Sequence, residues 1–326
     1  MSDAIIDAPS LRASARVYSQ KSNSLAALSY FSNFAVYFLA LFVAIRFWGN
    51  WVVEVPVLVL MAFAGVRLYV LQHDCGHLSL FATRKQNEWA GLALSTFTFT
   101  PFKVMQYNHN MHHTYVGNLD ARETTEIFTM TLAEWNAASP GRRLFYRLYR
   151  NPFILIPVGA FWTYFFVYRW PKNTRKVGVA GVLAHDALLL AYMAVLYWFF
   201  GWTGVIVLLV ATFIGGMLGV FLVYLQHNFE GTYWDRKPEL DFVRATIQGS
   251  SCLDFGWVFD EAVANITKHD IHHFNASIPC YRLRQAHREL EDVFAFEKIG
   301  FLEALRSFTL KLWDEDRGRL VAFPRR

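Results

Sequence analysis

Eight of the eleven histidines in this 326-residue chain fall in three tight clusters: His73 and His77 in HDCGH, His109, His112 and His113 in HNMHH, and His269, His272 and His273 in HDIHH. The spacings i, i+4 and i, i+3, i+4 put imidazoles on one face of a helix, roughly 5–6 Å apart, where they can converge on a metal ion. A ninth, His227, follows directly after a long apolar run. A single pair of this kind is more often a satisfied core or interfacial pair than a ligand set. Three clusters and a fourth site together point to metal chemistry. Nine imidazoles exceed the ligand set of one zinc site and suit two metals with open positions. Zinc, copper and iron all accept imidazole, so ligand softness does not choose among them. The Glu-x-x-His pattern of soluble di-iron bundles is absent. A histidine-only set leaves the centre strongly cationic, to be oriented and partly neutralised by neighbouring groups. Asp74, Asp120, Glu230 and Asp270 lie in or near the clusters, and Asn265 precedes His269 by four residues, one helical turn. These five are the candidate supporting groups, with surface solvation or helix capping the plain alternative for the carboxylates.

Composition says what must position such a centre. The chain is 54% hydrophobic and only 17% charged, its mean hydropathy is +0.23, and it holds several nearly chargeless runs of the length that crosses roughly 30 Å of hydrocarbon. A polytopic membrane protein follows. Leu25 to Ile45 and Val52 to Leu71 form one hairpin, with Arg67 placed to snorkel to the interface; Val177 to Phe200 and Val205 to Leu225 form a second around GWTG. Two more stretches, Trp89 to Phe102 and Asn151 to Tyr168, are short or broken by proline and are flanked by basic residues at both ends. The positive-inside rule puts both ends of each in the cytosol, so they read as re-entrant or interfacial. Both termini then lie inside, and all nine histidines share the cytosolic face. Had either stretch crossed, the clusters would be divided between the two sides.

The expected fold is therefore all-α: four transmembrane helices under a cytosolic helical cap made of residues 72–176 and 226–326, all one domain over 1–326. The N-terminus lacks the apolar core of a signal peptide and reads as a short cytosolic tail, and Arg284 to Lys311 reads as an amphipathic helix carrying Val293, Phe294, Phe296, Ile299, Phe301 and Leu302. Three cysteines without CxxC spacing give neither a disulfide framework nor a thiolate site. The charge of +5 sits beside apolar runs instead of in a basic tract, which fits a membrane surface and not nucleic acid. His185 and Asp186 lie inside a span and read as helix-holding or tunnel-lining, and His287 reads as part of a solvated helix face. No haem-binding segment or GxGxxG fingerprint is present, so electrons for redox chemistry must come from a separate protein. The basic stretch Arg142 to Arg150 is placed to attract an acidic donor or membrane headgroups.

The three boxes, their order and their placement after the spans resemble the membrane fatty acid desaturase superfamily. The tracts HDCGHLSLF, HTYVGNLDARETTEIFTMTLAEW, QHNFEGTYW and HDIHHFNASIPCYRL resemble the bacterial and cyanobacterial acyl-lipid desaturases of the Δ12 or ω-6 type, over about Val52 to Pro324. The three residues between the histidines of the first box match the acyl-lipid group, whereas many acyl-CoA enzymes have four. The resemblance implies a non-haem di-iron centre held by His73, His77, His109, His112, His113, His227, His269, His272 and His273, without saying which histidine serves which iron. It implies O2 as cosubstrate, an acyl-lipid or other fatty acyl substrate in the bilayer, ferredoxin as electron donor with cytochrome b5 the alternative, and a bacterial inner membrane. An unactivated methylene gives no polar handle, so a narrow apolar tunnel is expected, although no substrate residue is identified. Fatty acyl hydroxylation and carotenoid hydroxylation or ketolation are the neighbouring chemistries, the FEGTYW and IPCYRL tracts arguing against the carotenoid enzymes. A histidine-rich metal transporter is the remote alternative, since transporters hold their sites near the bilayer midplane.

Overall fold

The computed structural model describes residues 8–124, 127–291 and 297–324. After α1 (Ala8–Arg16) comes α2 (Asn23–Arg46), opened by Ser22, whose hydroxyl accepts the Leu25 N–H. Gly49 turns the chain at φ 88°, its N–H held by the buried Glu54 carboxylate at 2.8 Å, and α3 (Trp51–Gly76) packs back along α2. Arg67 does not snorkel to the interface: its Nε donates to Asn33 Oδ1 of α2 at 2.6 Å, because a polar partner lies within reach on the facing helix. A reciprocal Thr83–Gln86 cap starts α4 (Arg84–Thr98). Phe99 in the left-handed region (φ 59°) stops it, and Pro101 leads into α5 (Phe102–Thr114). Gly91 lets the two pack: a Cβ there would lie 2.3 Å from the buried Phe102 ring. This reversal returns the second histidine cluster to the end of α3 that carries the first.

The next segment holds β1 (Met130–Thr131), α6 (Leu132–Ala137), α7 (Pro140–Tyr149), α8 (Pro152–Phe165), α9 (Pro171–Val177) and α10 (Val179–His227). A straight helix of α10's 49 residues would run about 74 Å, far beyond a hydrocarbon core. The helix breaks at Gly201 (φ 60°, ψ −155°), and its halves lie side by side: the Phe97 ring meets Tyr192 at 5.2 Å and lines one cavity with Ala211 and Thr212. α2, α3, α10 and Pro152–Arg169 are long and apolar enough to cross a membrane. The last of these includes α8, the stretch read from sequence as non-spanning. α8 leans on the second limb of α10, Gly159 facing Val220 and Tyr164 facing Gly216 and Gly219. Its far end stays beside the last turns of α3, where the Tyr168 and Tyr69 hydroxyls share a hydrogen bond of 3.2 Å.

The chain closes with α11 (Phe242–Gln248), β2 (Cys252–Leu253), α12 (Trp257–Ala262), α13 (His269–Phe274), α14 (Cys280–Leu290), β3 (Lys298–Ile299), α15 (Phe301–Ser307), β4 (Leu312–Asp314) and β5 (Arg319–Val321). The described chain is mostly helical as expected, with five strands of two or three residues that the all-α expectation lacked. β4 pairs parallel to β1 and antiparallel to β5, and β2 pairs parallel to β3. The tail is not one amphipathic helix. Gly300 caps α15, Leu312 to Asp314 are all buried in strand pairing, and Gly318 (φ 59°) closes the β4–β5 turn. Val293, Phe294 and Phe296 lie outside the described residues.

Arg150 pins these layers together. It is fully buried, and its guanidinium donates to Phe128 O, Thr129 Oγ1, Asn228 Oδ1 and Leu310 O. That joins the α7–α8 elbow to the residue after His227 and to the tail. Lysine lacks this planar fork, so Arg150→Lys is expected to lower stability by about 2 kcal/mol or more, read as a fall in the thermal midpoint of the detergent-solubilised protein.

Candidate metal centre

Three helices bring their C-terminal ends together, and the six-residue α13 adds histidines from its first residue onward. His73 lies in the last turn of α3 with His77 just beyond it; His109, His112 and His113 close α5; His227 ends α10; His269, His272 and His273 occupy α13. A helix C-terminus carries partial negative charge, so the convergence favours a cation at its focus.

The nine imidazoles sort into two groups whose ligand nitrogens lie within 4.8 Å of one another: His73, His77, His109, His113 and His272 in one, His112, His227, His269 and His273 in the other. The two His-x-x-His-His boxes are divided in the same way. Their i, i+4 histidines (His109 and His113, His269 and His273) stay together, while the i+3 histidine (His112, His272) crosses to the other group. Residues i+3 and i+4 differ by about 100° around a helix, so the box straddles two sites.

The Nε2 atoms crowd inward. His73 and His109 are 2.8 Å apart, His109 and His113 2.9 Å, His113 and His272 3.2 Å; in the second group His112 and His273 are 3.2 Å apart, His273 and His269 3.0 Å, His269 and His227 3.1 Å. A neutral imidazole has one N–H, so such an array cannot satisfy itself by hydrogen bonding. Ligand nitrogens about 2.0–2.1 Å from a metal stand about 2.8–3.4 Å from each other, from octahedral to tetrahedral geometry. The spacing fits two metal ions. Burial, reinforced by mutual repulsion of the cationic forms, holds His77, His109, His113, His269, His272 and His273 well below the ordinary histidine range. The neutral, metal-binding form is the one the cap selects.

Surrounding groups fix ring orientation. His227 donates Nδ1–H to the Gly249 carbonyl at 3.0 Å, leaving Nε2 for the centre. Asp74 and Asp270 are fully buried. Asp74 meets His73 Nδ1 at 3.2 Å and accepts the Cys280 amide at 2.6 Å, tying the first box to α14. Two candidates from sequence stand elsewhere. Asp120 pairs with Arg236 at 2.8 Å on the surface, and Glu230 pairs with Arg306 and Arg319 at 2.8 and 3.3 Å, because exposed arginines supply their counter-charge. Asn265 is not one helical turn before His269: it lies in a turn at φ 59° ahead of α13, its amide 3.5 Å from the Cys280 carbonyl.

His287 is also displaced from its expected place. It is buried with Nε2 3.6 Å from Asp270 Oδ2, since the inner face of α14 packs on α13. The Gly249 carbonyl and the Cys280 amide carry no sequence signal. Gln72 carried a weak one, as a polar residue next to the first box inside an apolar helix; it joins Thr98 and Thr100 in a buried network. His185 and Asp186 are held by Arg169 at 3.2 and 2.8 Å, fastening the end of α8 to α10.

One cavity touches the centre and a second lies among the long helices. The first, of about 430 Å³, touches His112 and His227 and is walled by Val116, Ile127, Arg150 and Trp234. The other, about 460 Å³, lies among the long helices, lined by Tyr37, Met61, Phe97, Tyr164 and Gly215, and by Tyr69, one turn before His73.

A family model described as fatty acid desaturase matches residues 49–303. A fatty acid desaturase of Bacillus subtilis is 34% identical over 260 residues, 79% of this chain and 74% of that protein. The sn-1 acyl-lipid omega-3 desaturase (ferredoxin) of Synechocystis sp. is 26% identical over 243 residues, 69% of this chain and 64% of that protein. The sn-1 oleoyl-lipid 12-desaturase of the same organism is 24% identical over 277 residues, 77% and 73% of the two chains.

His112→Ala and His272→Ala remove ligands from different groups, so each is expected to keep at most one metal per chain where the parent holds two, measured by elemental analysis of the purified protein. Unfolded histidines titrate near pH 6.5, above the folded values, so the unfolded chain takes up more protons as pH falls below about 6.5. Stability and metal retention are therefore expected to be full above that pH and lost on acidification through it, followed by metal content and thermal midpoint across a pH series.

Proposed function

The chain belongs to the fatty acid desaturase family and is an oxidoreductase; on that premise we propose that it introduces a C=C double bond into the acyl chain of a membrane lipid. One observation carries this reading: two groups of imidazoles able to hold metal lie with one cavity against His112 and His227 and a second, largely apolar cavity among the long helices that reaches Tyr69, one turn before His73. Iron fits both groups by ligand chemistry, with His73, His77, His109, His113 and His272 holding one ion and His112, His227, His269 and His273 the other. Bound iron would supply the reduction of O2 with two electrons: –CH2–CH2– plus O2, two electrons and two protons gives –CH=CH– and two waters.

The protein's own part is positioning and exclusion of water. Asp74 and the Gly249 carbonyl hold ring orientation at His73 and His227. The apolar walls hold a chain that has no polar handle, so that two adjacent methylenes are held beside the centre. Tyr69, Phe97 and Tyr164 line the deeper cavity and would take the methyl end. The Synechocystis relatives, whose names specify acyl-lipid substrates and in one case ferredoxin, support a lipid-bound substrate and a separate ferredoxin donor.

The proposed topology has four crossings, by α2, α3 and the two limbs of α10, with both termini and the metal centre in the cytosol of a bacterial inner membrane. The helical pieces around residues 89–102 and 151–168 enter without crossing. Two features support this for α8: Arg150 at its near end bonds beside His227, and Tyr168 at its far end bonds one turn before His73. A metal transporter is disfavoured, because the ligands cluster at helix ends instead of along a midplane pathway.

Expression of the full chain in a host with saturated or monounsaturated lipids, followed by mass spectrometry that locates double bonds, tests the reading. New double bonds in the acyl chains, absent with His112→Ala, are expected. Hydroxylated acyl chains, or an unchanged acyl profile with altered carotenoids, would overturn it.

A further inference from the structure

α7 is folded with its polarity inverted. The Ser139 hydroxyl caps it by accepting the Arg142 N–H, and its sequence alternates arginines with large apolar residues. On a water-facing helix the arginines would point outward. Here Arg143 and Arg147 lie over the Trp135 ring at 5.6 and 5.0 Å, Arg147 also over Phe323 at 4.4 Å. Arg143 spends further donors on the Trp135 and Asn136 carbonyls. Arg150, just past the helix, is fully buried. The outward face is Leu144, Phe145 and Leu148, exposed by 60, 69 and 48%. Positions i, i+1 and i+4 make one continuous stripe, and of the four arginines from 142 to 150 only Arg142 is exposed beside it.

The stripe continues into α8. Phe153, two residues into that helix, is 89% exposed, and Phe161 and Trp162 are each 50% exposed, on a segment apolar enough to lie in hydrocarbon. An apolar face continuous with a membrane-embedded helix, with one cationic residue at its rim, fits the boundary between headgroups and acyl chains. We infer that α7 lies in the cytosolic membrane interface, its Leu144–Phe145–Leu148 stripe inserted among lipid acyl chains. Arg143, Arg147 and Arg150 are then internal braces. The segment that reads as a basic patch in the sequence is a lipid-contact helix and no docking site for an acidic protein. Arg150, the residue after α7, lines the cavity beside His227 and lies over the ring of Tyr146 on the inner side of α7, so α7 sits behind that cavity.

Single cysteines at Phe145, Leu148 and Phe153, each carrying an environment-sensitive fluorophore, test this in full-length protein reconstituted into phosphatidylcholine–phosphatidylglycerol vesicles. Cys75, Cys252 and Cys280 are buried and leave the introduced thiol as the labelling site; Arg288→Cys, at a side chain 78% exposed, is the aqueous reference. The Phe145→Cys and Leu148→Cys labels are expected to lose fluorescence to nitroxide-bearing lipids to about the extent seen for Phe153→Cys, and to resist aqueous iodide, which quenches the reference. Unchanged metal content in each labelled protein shows that the fold is kept. Quenching by iodide at Phe145 and Leu148 would overturn the inference. So would shielding from both quenchers with crosslinking between chains, which would make the stripe a contact between two copies. Neither result bears on whether the enzyme forms double bonds.

Discussion

Imidazole nitrogens packed 2.8–3.2 Å apart inside a protein repel one another's protonated forms and cannot satisfy one another as neutral ones, since each ring has a single N–H to give. Only cations placed among them resolve that conflict. The rest of the structure is arranged around it. α3, α5 and α10 end at the same place, so that their carbonyl ends add negative potential where a cation would sit. Burial holds His77, His109, His113, His269, His272 and His273 toward the unprotonated form, and Asp74 and Asp270 are the carboxylates taken fully out of water beside the boxes. Asp74 accepts the Cys280 amide and Asp270 the Ile271 amide, and a cation held by the boxes would stabilise their charge further.

Bringing those helix ends together requires the apolar stem. α3 and the second limb of α10 each deliver a histidine at their last turn, and the Gly201 break folds α10 back along itself so that its end reaches the same place. α4 and α5 make a shorter reversal, permitted by Gly91 against Phe102 and by the left-handed turn at Phe99. Arg150 then locks the elbow, the end of α10 and the tail into one unit. The same long apolar helices line the second cavity, which reaches Tyr69 one turn before His73. In the proposed reaction this is what a chain of methylenes needs: walls that contact it along its length, and a boundary with lipid close by.

Polarity in this molecule is decided by what lies behind each side chain. Arg67 turns to Asn33 instead of the interface, Arg143 and Arg147 turn onto Trp135, and His287 turns toward Asp270. In each case a partner contributed by a distant segment outcompetes solvent. The exposed surface is correspondingly apolar at α7 and α8 and charged around Asp120, Glu230 and Arg236, where ion pairs face water.

The sequence by itself determined the metal-binding residue types, the membrane class and the family. Those are carried by local periodicity: histidines at helical spacing and apolar runs of membrane length need no distant partner to be legible. It also pointed to Asp74 and Asp270, because they sit inside the boxes. Only the tertiary structure decided which histidines share a group. Splitting each His-x-x-His-His box between two sites depends on how α5 and α13 face each other across some 160 residues of chain. The small sheets were equally invisible, since two- and three-residue strands have no periodicity and the β1–β4 and β2–β3 pairs join segments far apart in the chain. Asp120, Glu230 and Asn265 were misplaced for the same reason: nearness in sequence to a histidine says little once an arginine, or a turn, from another part of the chain sets where a side chain lies.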